Sequence, residues 1–148
     1  MTAIDVATTI AAPPARVWEA IEDIPTQVRW MEDAVAIRFT TQARAGVGAA
    51  FECDTRVGPV RLTDRMEVTE WDPPHVMGIR HVGLVTGTGR FSLEPSGGGT
   101  RFRWEERLSF PAWAGGGLGG AAAAPVLRRI WRRNLANLKA LVESAGEV

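Results

Sequence analysis

Six consecutive segments in the middle of the chain alternate apolar and polar residues, the pattern of a β-strand with one buried face. The segments lie near residues 34–41, 49–57, 60–71, 75–84, 87–95 and 100–110. Short turns separate them, and links of this length favour antiparallel pairing of neighbouring strands. A curved antiparallel sheet of this size cannot bury its inner face against itself, so another element must cover that face.

The last part of the chain, from about residue 122 to residue 144, has the helical pattern expected of that covering element. Its apolar residues fall within a sector of about 120° around the helix axis, and its charged residues lie outside that sector. The predicted buried face consists of Leu127, Ile130, Trp131, Asn134, Leu138, Leu141 and Val142. Asn134 is the only polar residue on this face, and the pattern predicts a long helix laid across the sheet.

Before these strands, the sequence predicts one further strand and two short helical pieces. Residues 4–10 alternate and are rich in β-branched side chains, and Pro13 and Pro14 end that strand. A helix is expected over residues 15–22, and a second helical piece over about 26–31. The element order is strand, two helices, six strands and one long helix, which predicts an α+β fold with a seven-stranded antiparallel sheet.

Three stretches of the sequence resemble a known family. They are residues 10–21 (IAAPPARVWEAI), residues 70–74 (EWDPP) and residues 99–102 (GTRF). Together with the element order, they resemble the polyketide cyclase/dehydrase and lipid-transport type of the START/Bet v 1-like (SRPBCC) superfamily, over essentially the whole chain. The resemblance implies a helix-grip fold, in which the curved sheet wraps around the long C-terminal helix. Its motifs are structural and not catalytic, so it implies the fold more directly than the function.

Length and charge restrict the class of protein. With 148 residues, 45% of them apolar, the chain has the size of one domain, and we expect a single domain over residues 1–148. Seventeen basic residues balance seventeen acidic ones, which argues against nucleic acid as a partner. The sequence shows no secretory signal and no apolar run near the ~20 residues of a membrane span. We therefore expect a cytoplasmic monomer or homodimer.

The few metal-binding side chains argue against a cofactor. One cysteine, Cys53, and two well-separated histidines do not have the spacing of a metal site. A Rieske cluster, which some helix-grip oxygenases carry, needs two cysteines and two histidines in paired motifs. We expect neither a metal nor another cofactor.

The alternation also assigns one face of each strand to the interior. In the last strand, charged residues at alternate positions mark the solvent side, so Trp104 and Glu106 point inward. Apolar, aromatic walls with a few placed polar groups are typical of a small-molecule site. The candidate ligand-binding residues are Trp30, Phe51, Cys53, Thr55, Asp64, Met66, Ile79, His81, Phe91, Trp104, Glu106, Trp113, Ile130 and Asn134.

Three of these inward residues, Asp64, His81 and Glu106, are also candidate catalytic residues. A buried carboxylate is costly unless it is paired, and His81 could pair with either acid. The three side chains could satisfy one another, could anchor a ligand, or could act as an acid and base on a bound carbonyl or hydroxyl compound. Cys53 is expected to be a small buried apolar residue and not a nucleophile.

Trp113 precedes the only compositionally biased stretch, residues 115–125, which consists mostly of glycine and alanine. We interpret this stretch as a hinge or lid within the domain, with Trp113 as a gate over the pocket entrance. The alternative is a loosely packed loop.

Three functions remain open on the sequence alone. The first is binding of a small hydrophobic molecule, such as a lipid, polyketide or isoprenoid-like compound, in an internal cavity. The second is a cofactor-independent polyketide cyclase, aromatase or dehydratase that uses the polar residues of the same cavity. The third is a protein-interaction or co-chaperone module, for which the pocket residues would not matter.

Overall fold

A computed structural model describes residues 1–112 and 115–145 of the chain. Two separate parts of the chain form its sheet. The strands are β1 (Thr2–Ile10), β2 (Ala34–Phe39), β3 (Ala50–Val57), β4 (Val60–Asp72), β5 (Val76–Val82), β6 (Thr86–Ser96) and β7 (Gly99–Ser109). Their order in the sheet is β1-β7-β6-β5-β4-β3-β2, and every neighbouring pair is antiparallel. The predicted seven-stranded antiparallel sheet is confirmed, with the first strand beside the last.

Among the described residues, three helices accompany the sheet. They are α1 (Pro14–Ile21), a short 3₁₀ helix (Ile24–Arg29) and the long α2 (Gly116–Ala145). Pro14 lies at the first position of α1, where its missing N–H costs no hydrogen bond. α2 packs against β1, β7 and α1, so it covers the inner face of the curved sheet. This is the predicted helix-grip architecture.

The face of each strand that points inward is the predicted one. In β7, Phe102, Trp104, Glu106 and Leu108 are buried, and their charged neighbours face solvent or are half-buried. The alternation is a reliable guide here because one face of the sheet is in solvent, so a shift of one residue would bury a row of charges.

Helix α2 begins six residues earlier than the predicted start near residue 122. The alanine run at 121–124 strongly favours helix, and it extends the helix back through the glycine-rich stretch. Gly120 is buried there, and a Cβ at this position would overlap the Thr2 hydroxyl and the Phe110 ring. The glycines from Gly116 onward therefore belong to the helix, and Gly120 allows it to approach β1 closely, whereas the sequence suggested a hinge.

The buried face of α2 also differs in two residues from the prediction. Leu135 is 1% exposed although the predicted face omitted it, and Leu141 is 41% exposed although the predicted face included it. The observed face is centred on Trp131, from which Leu135 is only about 40° away around the axis and Leu141 about 80°. The predicted sector was centred about 40° to one side of Trp131, toward Leu141.

Candidate functional site

A cavity of about 400 Å³ lies between the inner face of the sheet and α2. That volume is in the range of small-molecule sites, and the walls are mostly apolar. Every predicted site residue on a strand lines it, namely Phe51, Cys53, Thr55, Asp64, Met66, Ile79, His81, Phe91, Trp104 and Glu106. The alternation pattern thus brings together side chains from five strands.

Four predicted site residues are not part of the described lining. Trp30 is buried behind the wall, against Phe91 and Trp104. Ile130 is half-buried and packs on the core. Asn134 is fully buried but bonds to a loop, and Trp113, with its expected gating role, lies outside the described residues.

Other lining residues were not among the predicted site residues. Trp131 of α2 stacks on Trp104 at a centroid distance of 4.6 Å and continues the cavity wall from sheet to helix. Trp131 is on the predicted buried face of the helix, next to Ile130, so the helical pattern could have identified it as a lining residue. The 3₁₀ helix and the residues after it add Ile24, Gln27, Met31 and Asp33, for which the sequence showed no periodic pattern.

A cluster of three polar residues lines the cavity: Asp64, His81 and Glu106, contributed by β4, β5 and β7. His81 Nδ1 lies 2.7 Å from Asp64 Oδ2, and His81 Nε2 lies 2.8 Å from Glu106 Oε2. Trp104 Nε1–H donates to the other oxygen of Glu106 at 3.1 Å. The three residues of the cluster are only 7–8% exposed, so these bonds are made away from water.

Glycine in β6 makes this cluster possible. β6 lies between β5 and β7, and Gly89 is paired with Ile79 on one side and Glu106 on the other. A Cβ on Gly89 would lie 2.5 Å from Glu106 Oε1. Because Gly89 has no side chain, the Glu106 carboxyl lies over its backbone and reaches His81 on β5.

The hydrogen bonds keep His81 protonated. Burial by itself lowers the pKa of a histidine, but the hydrogen bonds and charges of Asp64 and Glu106 outweigh it and raise the pKa of His81 to about 10. At neutral pH the ring is an imidazolium that donates both N–H groups to carboxylates. It has no free nitrogen with which to accept a proton from a ligand.

Two buried side-chain polar atoms have no hydrogen-bond partner among the described residues, Asp64 Oδ1 and Trp30 Nε1. Only Asp64 lines the cavity.

Cys53 is part of the apolar wall. Burial is the main cause that raises the pKa of its thiol to about 11. A thiol in that state is not a nucleophile at neutral pH.

A second polar group joins the loop after the 3₁₀ helix to α2. Asp33 accepts hydrogen bonds from Trp131 Nε1–H at 3.0 Å and from Asn134 Nδ2–H at 2.7 Å. Asn134 Oδ1 in turn accepts one from the backbone N–H of Glu32 at 2.9 Å. This group holds Trp131 and Asp33 in place at the cavity wall, and it explains the polar residue on the buried helix face.

The cavity opens between the turn that joins β3 to β4 and the first half of α2. Val60, at the start of β4, and Val126, on α2, both line it and are 56% and 50% exposed. Apolar residues that are part of the wall and also exposed mark the point where an apolar ligand could enter.

Within residues 1–112 and 115–145, no group of three or more His, Cys, Asp and Glu side chains is arranged to hold a metal ion. No helix in the same residues is long and apolar enough to cross a membrane.

The fold and the cavity together define a helix-grip protein with an internal apolar site. The chain belongs to the family described as polyketide cyclase / dehydrase and lipid transport, whose model matches residues 1–143. No curated protein sequence matches it significantly.

Solved structures of low sequence identity share the fold. TTHA0849 from Thermus thermophilus is 20% identical with a TM-score of 0.79, over 97% of this chain and 98% of that one. The di-domain ARO/CYC StfQ from the steffimycin biosynthetic pathway is 15% identical with a TM-score of 0.79, over 99% of this chain and 52% of that one. The Aha1 dimer from Colwellia psychrerythraea is 17% identical with a TM-score of 0.66, over 97% of each chain. At these identities the likeness concerns the fold.

Proposed function

We propose that this protein binds a small hydrophobic molecule, such as a lipid, polyketide or isoprenoid-like compound, in the cavity between sheet and helix. The cavity itself carries the proposal, with its volume of about 400 Å³ and its mostly apolar lining. Burial of apolar ligand surface contributes roughly 25 cal/mol per Å². The exposed apolar residues Val60 and Val126 supply an entrance.

The state of His81 favours binding over acid–base catalysis. A general base works best when its pKa is near the operating pH, whereas the pKa of His81 is about 10 and both of its N–H groups are bonded to carboxylates. As an acid, the same imidazolium holds its protons tightly. The cluster is therefore better suited to orient a ligand than to exchange protons with it.

A cofactor-independent cyclase or dehydratase is the second candidate. The family description and the fold likeness to StfQ, an ARO/CYC protein, support it. In this chain the proton acceptor would be a carboxylate oxygen of the cluster and not His81. An enzyme of this kind would lose rate more than affinity when Glu106 is replaced by Gln.

A cavity-filling variant tests the binding function. Met66 lines the cavity and Arg65, its neighbour on β4, is exposed on the other face. We expect Met66→Trp to weaken binding of the apolar dye N-phenyl-1-naphthylamine at least about tenfold, and Arg65→Trp to leave it unchanged, measured by fluorescence titration. Equal affinities of the two variants, or no dye binding by the wild-type protein, would contradict the proposal.

Native mass spectrometry of the freshly purified protein, with solvent extraction, would identify a bound compound directly. If the protein binds no apolar probe, the interaction-module function takes precedence. A homodimer, which the sequence predicts as the alternative to a monomer, is in line with the fold likeness to a dimeric Aha1. Like the cytoplasmic location, it stays a prediction.

A further inference from the structure

The cavity entrance lies at one end of the sheet, among several exposed apolar side chains. Because neighbouring strands are antiparallel, the β3–β4 turn, the β5–β6 turn and the end of β7 share this end. The first turns of α2 lie here too, since Gly120 is next to Thr2, at the start of β1, and to Phe110, just after β7. We call the exposed apolar residues on and next to these segments the apolar tips: Val60, Val82, Leu84, Leu118 and Val126.

The cavity alone does not explain the apolar tips. Val82, Leu84 and Leu118 lie outside its wall, so a bound ligand leaves them in water. Leu118 is 84% exposed. Single exposed apolar residues are normal on a protein, but several of them at one end of a molecule mark a surface that contacts a partner.

The same end is basic, although basic and acidic residues balance over the whole chain. Residues 55–63, 82–88 and 107–129 contain five arginines and no aspartate or glutamate. The five are Arg56, Arg61, Arg107, Arg128 and Arg129. Within the described part of the chain, none of them forms an ion pair. Charge complementarity therefore calls for an anionic partner.

Two of these arginines lie side by side without a counter-charge. Arg56 on β3 and Arg61 on β4 are directly opposite each other in the sheet, and both are exposed. Like charges in that arrangement destabilise a pair of strands. The nearest carboxylates along the two strands, those of Asp54 and Asp64, are each bonded to another cation. An anionic group beside Arg56 and Arg61 would relieve their repulsion.

Helix α2 carries apolar and basic groups on one outward side. Leu118, Val126 and Arg129 fall within a sector of about 80° around the helix axis, on the side opposite the buried Trp131. Val126 also lines the cavity at its entrance. A partner that contacts this side of the helix therefore meets apolar and cationic groups together, next to the entrance.

We propose that this end of the protein docks on an anionic lipid surface. The apolar tips enter the interfacial layer and the five arginines contact lipid phosphates. A lipid surface offers both the negative charge and a fluid apolar layer that accommodates tips on separate turns, whereas a nucleic acid backbone offers only the charge. The entrance between Val60 and Val126 then opens onto the membrane. This inference goes beyond the proposed ligand binding and does not depend on it.

Co-sedimentation of the full-length protein with vesicles tests the docking. One set of vesicles contains phosphatidylcholine and phosphatidylglycerol in a molar ratio of about 7 to 3, and the other contains phosphatidylcholine alone. We expect at least about tenfold stronger partitioning onto the anionic vesicles at low ionic strength, and most of this advantage should be lost at about 1 M salt. Equal partitioning onto both sets would overturn the inference, and so would binding to duplex DNA but to neither set.

Two double variants with the same change in charge locate the docking surface. Arg61→Gln with Arg129→Gln removes two arginines of the basic end and should weaken partitioning onto the anionic vesicles at least about tenfold. Arg44→Gln with Arg101→Gln removes two exposed arginines at the opposite end of the sheet, between β2 and β3 and near the start of β7. This control should stay within about twofold of the wild-type protein, and an equal loss in both double variants would contradict the proposal.

A second pair of variants tests the apolar tips. Leu118→Gln should weaken partitioning onto the anionic vesicles at least about threefold, because it removes apolar surface from the interfacial layer. Val47→Gln changes an exposed apolar residue between β2 and β3, at the opposite end, and should leave partitioning unchanged. If L118Q binds the vesicles as V47Q does, the tips do not enter the lipid.

Dye binding in the absence of vesicles separates this inference from the proposed function. The substituted residues lie outside the cavity wall, so all of these variants should bind N-phenyl-1-naphthylamine as the wild-type protein does, which also shows that they are folded. A wild-type protein that binds the dye but not the anionic vesicles would overturn the docking alone. One that binds the vesicles but not the dye would overturn the proposed function and leave the docking in place.

Discussion

Glu106 reaches His81 across β6 over the backbone of Gly89, and a side chain at position 89 should therefore change the charge of the site. In Gly89→Ala the new Cβ would lie 2.5 Å from Glu106 Oε1, so the carboxyl must move away from His81. We expect the pKa of His81 to fall from its value of about 10 by about 1 to 3, the usual effect of one neighbouring opposite charge.

Nuclear magnetic resonance of the histidine ring over a pH titration measures this pKa directly. Gly117→Ala is a suitable control, because Gly117 has open space around its Cβ position and lies on α2. A pKa of His81 that is the same in G89A and in the wild-type protein would show that Glu106 does not depend on Gly89.

At the same residue scale, the sequence identified the members of the cluster but not their bonds. Period-two counting placed Asp64, His81 and Glu106 inward because they share alternate positions with apolar residues of the same strands. It left open whether His81 pairs with one acid, with the other or with water. The pairing of His81 depends on its distance from Glu106 across β6. The missing side chain of Gly89 can be recognised as the reason for that short distance only when the strand order is known.

At the scale of elements, Asn134 joins α2 to the loop after the 3₁₀ helix. It is fully buried, donates to Asp33 and accepts from the backbone N–H of Glu32. We expect Asn134→Ala to lower the free energy of unfolding by about 1–3 kcal/mol, because it leaves buried polar groups without partners. Urea denaturation followed by circular dichroism provides the measurement.

Asn137 is the matched control for that variant. It lies one turn further along α2, is exposed, and makes one bond of 3.3 Å to the backbone carbonyl of Trp30. Asn137→Ala should change the free energy of unfolding by less than about 0.5 kcal/mol. A similar cost for both variants would argue that the loop is not held by Asn134.

Elements were predictable where one physical effect dominates. The strands follow from alternation because the sheet has one face in solvent. The start of α2 was predicted too late because the glycine-rich stretch was interpreted by the backbone freedom of glycine. In the structure, close packing of Gly120 on Thr2 and Phe110 outweighs that freedom, and the sequence alone contains no information on which strand the helix meets.

For the whole molecule, the buried cluster predicts a dependence of stability on pH. The pKa of His81 is about 10 in the folded state and 6.5 for a free histidine. Below pH 6.5 both states are protonated and the contribution to stability is complete. Between pH 6.5 and about 10 the folded protein holds a proton that the unfolded chain has lost, so this contribution decreases as the pH rises.

We therefore expect the free energy of unfolding of the wild-type protein to fall more steeply between pH 6.5 and 10 than that of His81→Gln, in urea denaturation at a series of pH values. His75 is exposed on the turn between β4 and β5, so His75→Gln should follow the wild-type profile. Parallel profiles of all three proteins would mean that His81 is not held as a buried imidazolium.

The sequence by itself determined the element order, the inward face of each strand and the presence of an apolar internal surface. These follow from periodicity, which is a local property that each segment carries independently of its partners. Only the tertiary structure decided that Asp64, His81 and Glu106 form one cluster, that Trp131 and Asp33 belong to the cavity wall, and that one oxygen of Asp64 is left without a donor. Those facts depend on distances between residues far apart in the chain. Strand order, the absence of a side chain at Gly89 and the packing of α2 against the sheet determine these distances.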